Sequence, residues 1–425
     1  MWKPLAELDA ADRRVLLERR PDDDGSVQDD VRRLLSDVRL RGDAALREMA
    51  GRFDGVELDA LEVPRGRWDE ALSDLDPTLR RALERAVANI ETFHRAQMPG
   101  EVSVEVEPGV RLGRRFVALD AAGVYAPGGR AAYPSSVLMG VVPARVAGVR
   151  EVVVCSPPLT DGRPDPVLLA AAALAGADRL FALGGAGAIG AMAYGTASVA
   201  RCDVVVGPGS RWVIEAKRQV AGEVRIDSPA GPSEVLVVAD ATADPGAVAA
   251  EMVAQAEHDP DAAVAAVTWL PDVLDAVGRA LEAQVEATPR RDVVAAALAA
   301  RGALLLAADR DDALAFARAY AAEHLALYTL EPARDLDRVP TAGTVFLGGP
   351  SSVAFGDYLT GANHVLPTAG AARAFSGLST HSFLRSYTWQ DLTPEGAGRM
   401  ARDVERLAEA EGLPAHAAAA RRRRP

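Results

Sequence analysis

Cysteine is nearly missing from this sequence. Only Cys155 and Cys202 occur among 425 residues, which excludes a disulfide framework and a thiolate zinc cluster. Both lie in apolar, strand-like contexts and read as buried thiols of a reducing compartment. Long apolar runs are lacking too, since each is interrupted well before the ~20 residues that a membrane span requires. The start, Met1-Trp2-Lys3-Pro4, leads into a charged stretch without the apolar core of a secretion signal. A cytoplasmic protein with no membrane partner is the expectation. Nor is there an excess of positive charge: 47 Lys and Arg face 60 Asp and Glu, a net charge of -13. That balance argues against nucleic acid as a partner and for a small molecule. The arginine run 421–424 departs from it locally, and a solvated terminus is its simplest reading.

What the chain does have is length and alternation. At 425 residues it is long enough for two or three domains with sizeable cores. Residues 1–29 are charged and weakly periodic, an arm; 31–53 and 68–98 carry apolar residues at helical spacing. From about 117 the pattern turns to short strands alternating with helices. Strands are expected at 152–155, 180–183, 204–206, 224–226 and 235–238, with helices at 135–146, 166–175, 188–194 and 212–220. A second alternation follows: helix 245–256, strand 263–270, helices to 301, strand 303–306, helix 313–322, strand 344–347. Near-continuous apolar strands between helices mean parallel sheet covered on both faces. Two blocks of similar length suggest related domains, although no residue-level repeat is visible. Beyond 376 the chain reads as helical, with a helix at about 401–411 and an Ala-rich end too small to stand alone. It is expected to pack on something else, such as a second subunit.

Six histidines occur, four of them in compact polar motifs: Gln255-Ala256-Glu257-His258, Glu323-His324, Asn363-His364, and the stretch from Glu411 to His416. Imidazole is the commonest side-chain metal ligand and titrates near neutrality, so the pattern points to a metal-assisted enzyme. Gln255 and His258 share a helix face, although the bland alternative is a solvated helix end. Glu323 and His324, at the end of an Ala-rich helix, place two proton carriers side by side; a capping or ion pair is the alternative. Gly356-Asp357-Tyr358 and Gly361-Ala362-Asn363-His364 offer an oxygen ligand and an imidazole from a Gly-rich loop, or simple turn chemistry. If that segment is extended, Asn363 and His364 point opposite ways and only one faces a ligand.

Three glycine loops follow strands: 125–129, 185–190 and 206–210. The second fits G-x-G-x-x-G, but its acidic companion is missing, because Asp203 begins the next strand instead of ending one. Together the three loops argue for a ligand crevice along one sheet edge.

Read as an ordered series, these segments resemble the histidinol dehydrogenase family. The likeness rests on Val-Tyr-Ala-Pro-Gly-Gly at 124–129, Tyr-Pro-Ser-Ser-Val at 133–137, Gly-Pro-Gly at 207–209, Glu-Ala-Lys-Arg-Gln-Val at 215–220 and Ala-Gly-Pro-Ser-Glu-Val-Leu at 230–236. It continues through Gln-Ala-Glu-His at 255–258, Glu-His-Leu at 323–325, Asn-His-Val-Leu-Pro-Thr at 363–368 and Ser-Gly-Leu-Ser at 376–379. The resemblance implies an α/β fold of two incomplete, Rossmann-like doubly wound domains. The first would comprise 30–120 and 234–375 and carry the zinc and catalytic residues; the second, 121–233, would be the NAD side. An N-terminal arm, 1–29, and a helical extension, 376–425, would complete a homodimer with shared active sites.

By the same resemblance Gln255, His258, Asp357 and His416 hold Zn2+, with His416 and Glu411 reaching across from a partner. His324 is the general base and Glu323 activates water, in a four-electron oxidation of L-histidinol to L-histidine. Ser233, Gln255, His258, His324, Asp357, His364, Glu411 and His416 match substrate-binding positions; Tyr125, Gly187 and Ser210 match cofactor positions. Two residues depart from the family pattern, Gly187 replacing glutamine and Ser210 replacing asparagine. Each loses an amide at a cofactor contact, so weaker NAD binding is expected. One rival reading is a related zinc and NAD enzyme acting on another small polar alcohol. A second is a catalytically silent binding protein, which would need neither Glu323 nor His324.

Overall fold

The computed structural model describes residues 1–19, 25–128, 132–228 and 231–424. Gly129 and Ala230, which belong to two of the motifs above, lie outside the described residues. The strands are β1 (Trp2–Pro4), β2 (Val102–Glu107), β3 (Val110–Ala118), β4 (Ala121–Tyr125), β5 (Glu151–Ser156), β6 (Arg179–Ala182) and β7 (Val204–Val206). They continue as β8 (Arg225–Ile226), β9 (Glu234–Ala239), β10 (Ala263–Thr268), β11 (Gly302–Leu306), β12 (His324–Tyr328), β13 (Thr344–Leu347) and β14 (Leu384–Leu392).

Two parallel sheets carry the fold. One has the order β6-β5-β4-β7-β8, the other β1-β11-β10-β9-β12-β13. With β1 set aside, both run third, second, first, fourth, fifth in chain order, the arrangement of a Rossmann-like half. The kinship suggested by block length is thus a kinship of strand order. Valine-rich strands such as β5 and β9 are buried almost throughout because helices cover both faces. Several of those helices start the same way: Asp76, Asp165 and Asp244 cap the first N–H groups and a proline takes the next position.

Three expectations are corrected. The helices between Ser26 and Ala96 pack mainly on the first sheet and not on the second: Val31, Leu35, Leu46, Leu83 and Ile90 share a core with the first sheet and its helices, joined from the 234–375 block by Val365. Helical periodicity shows that a face is buried but not which sheet buries it. The 1–29 arm is no separate appendage, because β1 pairs with β11 at the edge of the second sheet. Residues beyond 376 are not all helical either: β14 pairs with β3, which pairs with β2, in a three-stranded antiparallel sheet. Only then come the helices Pro394–Ala410 and Pro414–Arg421. The arginine run stays exposed, as expected, while Arg421 and Arg424 also pair with Glu405.

Candidate active site

The glycine loops do converge. Tyr125 ends β4, and its buried hydroxyl accepts the Gly185 N–H at 3.2 Å, which leaves the phenol proton free to donate. Burial pushes the Tyr125 phenol up to about 12, so that proton stays in place at neutral pH. Gly207 follows β7 at φ +117°, and a Cβ there would lie 2.1 Å from the Tyr125 carbonyl oxygen, so only glycine fits. Its main chain is clamped by a buried pair: Lys217 Nζ donates to Gly207 O at 2.9 Å, and Asp227 accepts the Gly207 N–H at 2.8 Å. The crevice therefore opens at the carboxyl ends of β4, β6 and β7, where the strand order reverses around β4.

Within it, Ser210 caps the helix Arg211–Val220 without spending its side chain on the cap, and it is exposed. Gly187 is different. It is buried in the helix Gly185–Tyr194, and an added Cβ would meet Met49 Sδ at 2.9 Å and Leu46 at 3.4 Å. Asp203 spends its carboxylate on the Asp120 and Ala121 N–H groups, away from this crevice.

Asp54, which sequence reasoning did not single out, stands at the crevice instead, 3.5 Å from where a Gly184 side chain would begin. Burial raises its carboxyl to about 6. The folded state therefore prefers the protonated form, and the associated stability is present below about pH 4 and lost as pH rises through 6. Asp54→Asn is expected to stabilise the protein by about 1 kcal/mol at pH 8, a roughly hundredfold difference in proton affinity discounted for the group's exposure. At pH 4.5 the gain should be less than half as large. Urea denaturation at both pH values checks this, and equal gains would refute it.

The second cluster of polar groups lies at the opposite kind of edge. Glu234 opens β9 and His324 opens β12, so both stand at the amino end of the second sheet. The helix Arg310–Tyr320 ends before Glu323, contrary to the placement of the Glu323-His324 pair on a helix end. The helix Pro245–Ala256 carries the chain ~18 Å back from the carboxyl end of β9, which delivers Gln255 and His258 to the same edge. Asp357 arrives on the last turn of the short helix Val353–Tyr358, where a loop was expected.

Glu323 and His324 are almost fully buried. Glu323 Oε2 accepts the Glu234 N–H at 2.7 Å and lies 3.4 Å from His324 Nδ1. His324 Nδ1 lies 3.0 Å from Glu234 O. A carbonyl has no hydrogen to give, so Nδ1 carries the proton and Nε2 is the acceptor of the neutral ring. That Nε2 is 3.4 Å from Asp357 Oδ1 and has no hydrogen-bond partner among the described residues. Burial alone would discharge His324, but Glu323 and Asp357 more than offset it and hold its pKa well above the ordinary value. Burial raises the Glu323 carboxyl, with His324 opposing only in part. For Asp357 the balance reverses: burial pushes it up, yet His324, His364 and His258 bring it below the usual carboxylate range.

The loop after Asp357 turns back so that His364 Nδ1 donates to Asp357 O at 2.8 Å. Asn363 points elsewhere, its Nδ2 donating to Met139 O at 2.8 Å, which joins the two halves of the fold. The neighbours thus divide the work as an extended segment requires, His364 on the site and Asn363 on the scaffold. His94 is a core residue bonded to Ile90 O, and His381 sits edge-on to Phe116.

A metal fits here in part. Gln255 Oε1 is buried without a hydrogen-bond partner among the described residues, a position that costs about 1–3 kcal/mol unless something binds it. An amide oxygen, an imidazole and a carboxylate form a mixed N and O set suited to zinc. Among the described residues no three His, Cys, Asp or Glu side chains come together as metal ligands, and beside Gln255 the set has two of those types, His258 and Asp357. His416 and Glu411 are exposed on the C-terminal helical segment. Ser233 is partly exposed beside Glu234. Both cysteines are free and buried, and no described helix is long and apolar enough to cross a membrane.

Comparisons with known proteins cover the whole of this architecture. The model of the histidinol dehydrogenase family matches residues 17–424. A histidinol dehydrogenase of Methanothermobacter thermautotrophicus is 46% identical over 423 residues, 100% of this chain and 99% of that protein. One of Haloarcula marismortui is 48% identical over 422 residues, 99% of each. The crystal structure of a histidinol dehydrogenase from Elizabethkingia anophelis matches with a TM-score of 0.95 at 35% identity, covering 100% of this chain and 97% of that one.

Proposed function

The chain belongs to the histidinol dehydrogenase family of oxidoreductases, and we propose from that premise that it oxidises L-histidinol through L-histidinal to L-histidine in the cytoplasm. The observation that carries the reading is the buried Glu323 and His324 pair with Nε2 of His324 unpartnered beside Asp357; with Asp357 committed to zinc, its charge would no longer hold a proton on that nitrogen, and Nε2 could accept one. Gln255, His258, Asp357 and the His416 of a second subunit would hold zinc, and Tyr125, Gly187 and Ser210 would line the NAD site. Zinc would fix the orientation of the substrate, while NAD would accept one hydride in each of two oxidations.

The chain's own groups handle the protons. His324 keeps its Nδ1 proton on Glu234 O and takes the substrate's hydroxyl proton on Nε2 as the aldehyde forms. Glu323, made more basic by burial, draws a proton from the water that attacks the aldehyde. His324 accepts the next proton as the acid forms. His364 has its Nδ1 engaged by Asp357 O, which leaves Nε2 to meet the substrate on this reading; Ser233 and the partner-borne Glu411 would supply the remaining polar contacts.

An assay with purified protein, zinc, NAD and L-histidinol is expected to yield two NADH per histidine, with loss on chelation and recovery on adding zinc. Turnover of other amino or sulfonated alcohols but none of histidinol would favour the rival substrate class and reject this one.

The two cofactor departures separate in the structure. Ser210 is open, so Ser210→Asn should regain one hydrogen bond, about 1 kcal/mol, and lower the NAD Michaelis constant about fivefold. Gly187→Gln must first displace Met49 Sδ, so alone it should gain less, and with Met49→Ala more. Steady-state kinetics in NAD check the order, and no change with Ser210→Asn would count against a cofactor role there.

A further inference from the structure

Glu234 is 1% exposed and touches neither metal ligand nor crevice, yet its main chain serves both members of the Glu323 and His324 pair. Its carboxylate is gripped by Arg19, 215 residues earlier: Nε to Oε1 at 2.9 Å and Nη2 to Oε2 at 3.0 Å, a two-pronged fork. The Ala369 N–H adds a third bond, to Oε1 at 2.6 Å. Arg19 is itself fixed by donating to Leu16 O and Tyr320 O, and by lying 3.7 Å over the Tyr320 ring.

Backbone strain gathers at this one carboxylate. Among the described residues, the non-glycine positions with left-handed φ are Arg19 at +44°, Ala321 at +52° and Ala369 at +53°. Arg19 supplies the fork and Ala369 the third donor, while Ala321 follows Tyr320 and comes two residues before Glu323. Such conformations persist where surrounding contacts force them, and they cluster at functional sites. A buried ion pair is often no more stabilising than apolar groups of the same size, and capping the ends of two helices explains the left-handed φ of Arg19 and Ala321, but neither explains why both converge with Ala369 on one carboxylate. A requirement on position does.

We infer that Arg19 and Glu234 are positioning residues that hold Glu323 and His324 in register for proton transfer, an inference that rests on the dehydrogenase reading above. Pairing of β9 with β10 and β12 holds the Glu234 backbone along the sheet, and the fork from Arg19 fixes it from the side-chain end. The segment before residue 20 thereby becomes part of the catalytic apparatus without touching substrate.

The test uses the full-length protein with Arg19→Met and Glu234→Met together, which removes both charges and strands neither. The double variant is expected to unfold at the wild-type midpoint, to keep its zinc content and to keep the histidinol Michaelis constant within about twofold. Its kcat should fall about 100-fold, the scale of a ~1 Å misplacement. Arg19→Lys, which keeps the charge and loses the fork, should fall about tenfold, and it carries the test if the double variant does not fold. The exchange-protected Nδ1–H resonance of His324, assigned by its loss in His324→Asn, should be present in the wild type and lost in the double variant. A folded double variant with wild-type kcat and an intact resonance would overturn the inference, as would a loss confined to zinc content or the Michaelis constant. If the wild type does not oxidise histidinol, the dehydrogenase reading falls, and the resonance alone decides the positioning role.

Discussion

Glu323→Gln is expected to convert a two-step oxidation into one that stalls at the aldehyde. Glutamine is isosteric and keeps a carbonyl oxygen for the Glu234 N–H, now 2.7 Å from Glu323 Oε2, so the buried site should hold its shape. What disappears is a carboxylate able to take a proton from water. On the proposed mechanism oxidation of histidinol to histidinal needs only His324, and it should survive within about tenfold. Oxidation of histidinal should fall by ~10²–10⁴, the range for loss of a positioned base. His324→Asn should instead lower both steps by a comparable factor, because Nε2 takes a proton in each. Single-turnover experiments with an aldehyde trap separate the cases: Glu323→Gln should release one NADH per trapped histidinal, His324→Asn almost none. Equal losses in both steps for Glu323→Gln would remove Glu323 from the water-activating role.

The contrast between these residues and Glu234 shows what the sequence could and could not disclose. Glu323 and His324 were legible because two proton-carrying side chains stand adjacent, and Gln255 with His258 because a helix puts positions three apart on one face. Glu234 acts through its N–H and C=O, which every residue but proline possesses, so no residue type betrays it. Arg19 looked like one charge in a charged arm; only the fold shows that it is buried. The strand that begins at His324 was missed for a related reason. A central strand buried on both faces shows no polar alternation, and Leu-Ala-Leu-Tyr is too short to distinguish from the helix before it. The alternation in Val102–Glu107 was present, with valine at every second position, and its partner β3 is next in the chain; what could not be read is that β3 pairs on its other side with β14, bringing together residues about 280 apart, such as Arg111 and Asp391. Asp54 was unreadable as a crevice residue because the helices before residue 96 could not be assigned to a sheet by periodicity alone.

The same geometry predicts that one chain cannot complete its own site. His416 is exposed, and Gln255, His258 and Asp357 supply at most three donors where a zinc site built from protein and substrate has room for more. The chain also leaves apolar surface open: Val102, Val104 and Val106 are each about half exposed along the edge strand β2, and Leu407 and Leu413 are exposed on the C-terminal segment. An open apolar edge of this kind is ordinarily buried by another chain. His324→Ala and His416→Ala should therefore each be inactive alone, the first for want of a base and the second for want of a metal ligand. Co-refolded in equal amounts, half of the dimers are mixed, and in each mixed dimer one site receives both an intact His324 and a partner's intact His416. The mixture should recover about a quarter of wild-type activity if subunits pair at random in a two-fold dimer. Recovery must follow subunit exchange and fail when the two proteins are mixed without unfolding. If each chain instead used its own His416, no site in a mixed dimer would hold both residues unless they came from the same chain, and the mixed His324→Ala and His416→Ala preparation would stay inactive.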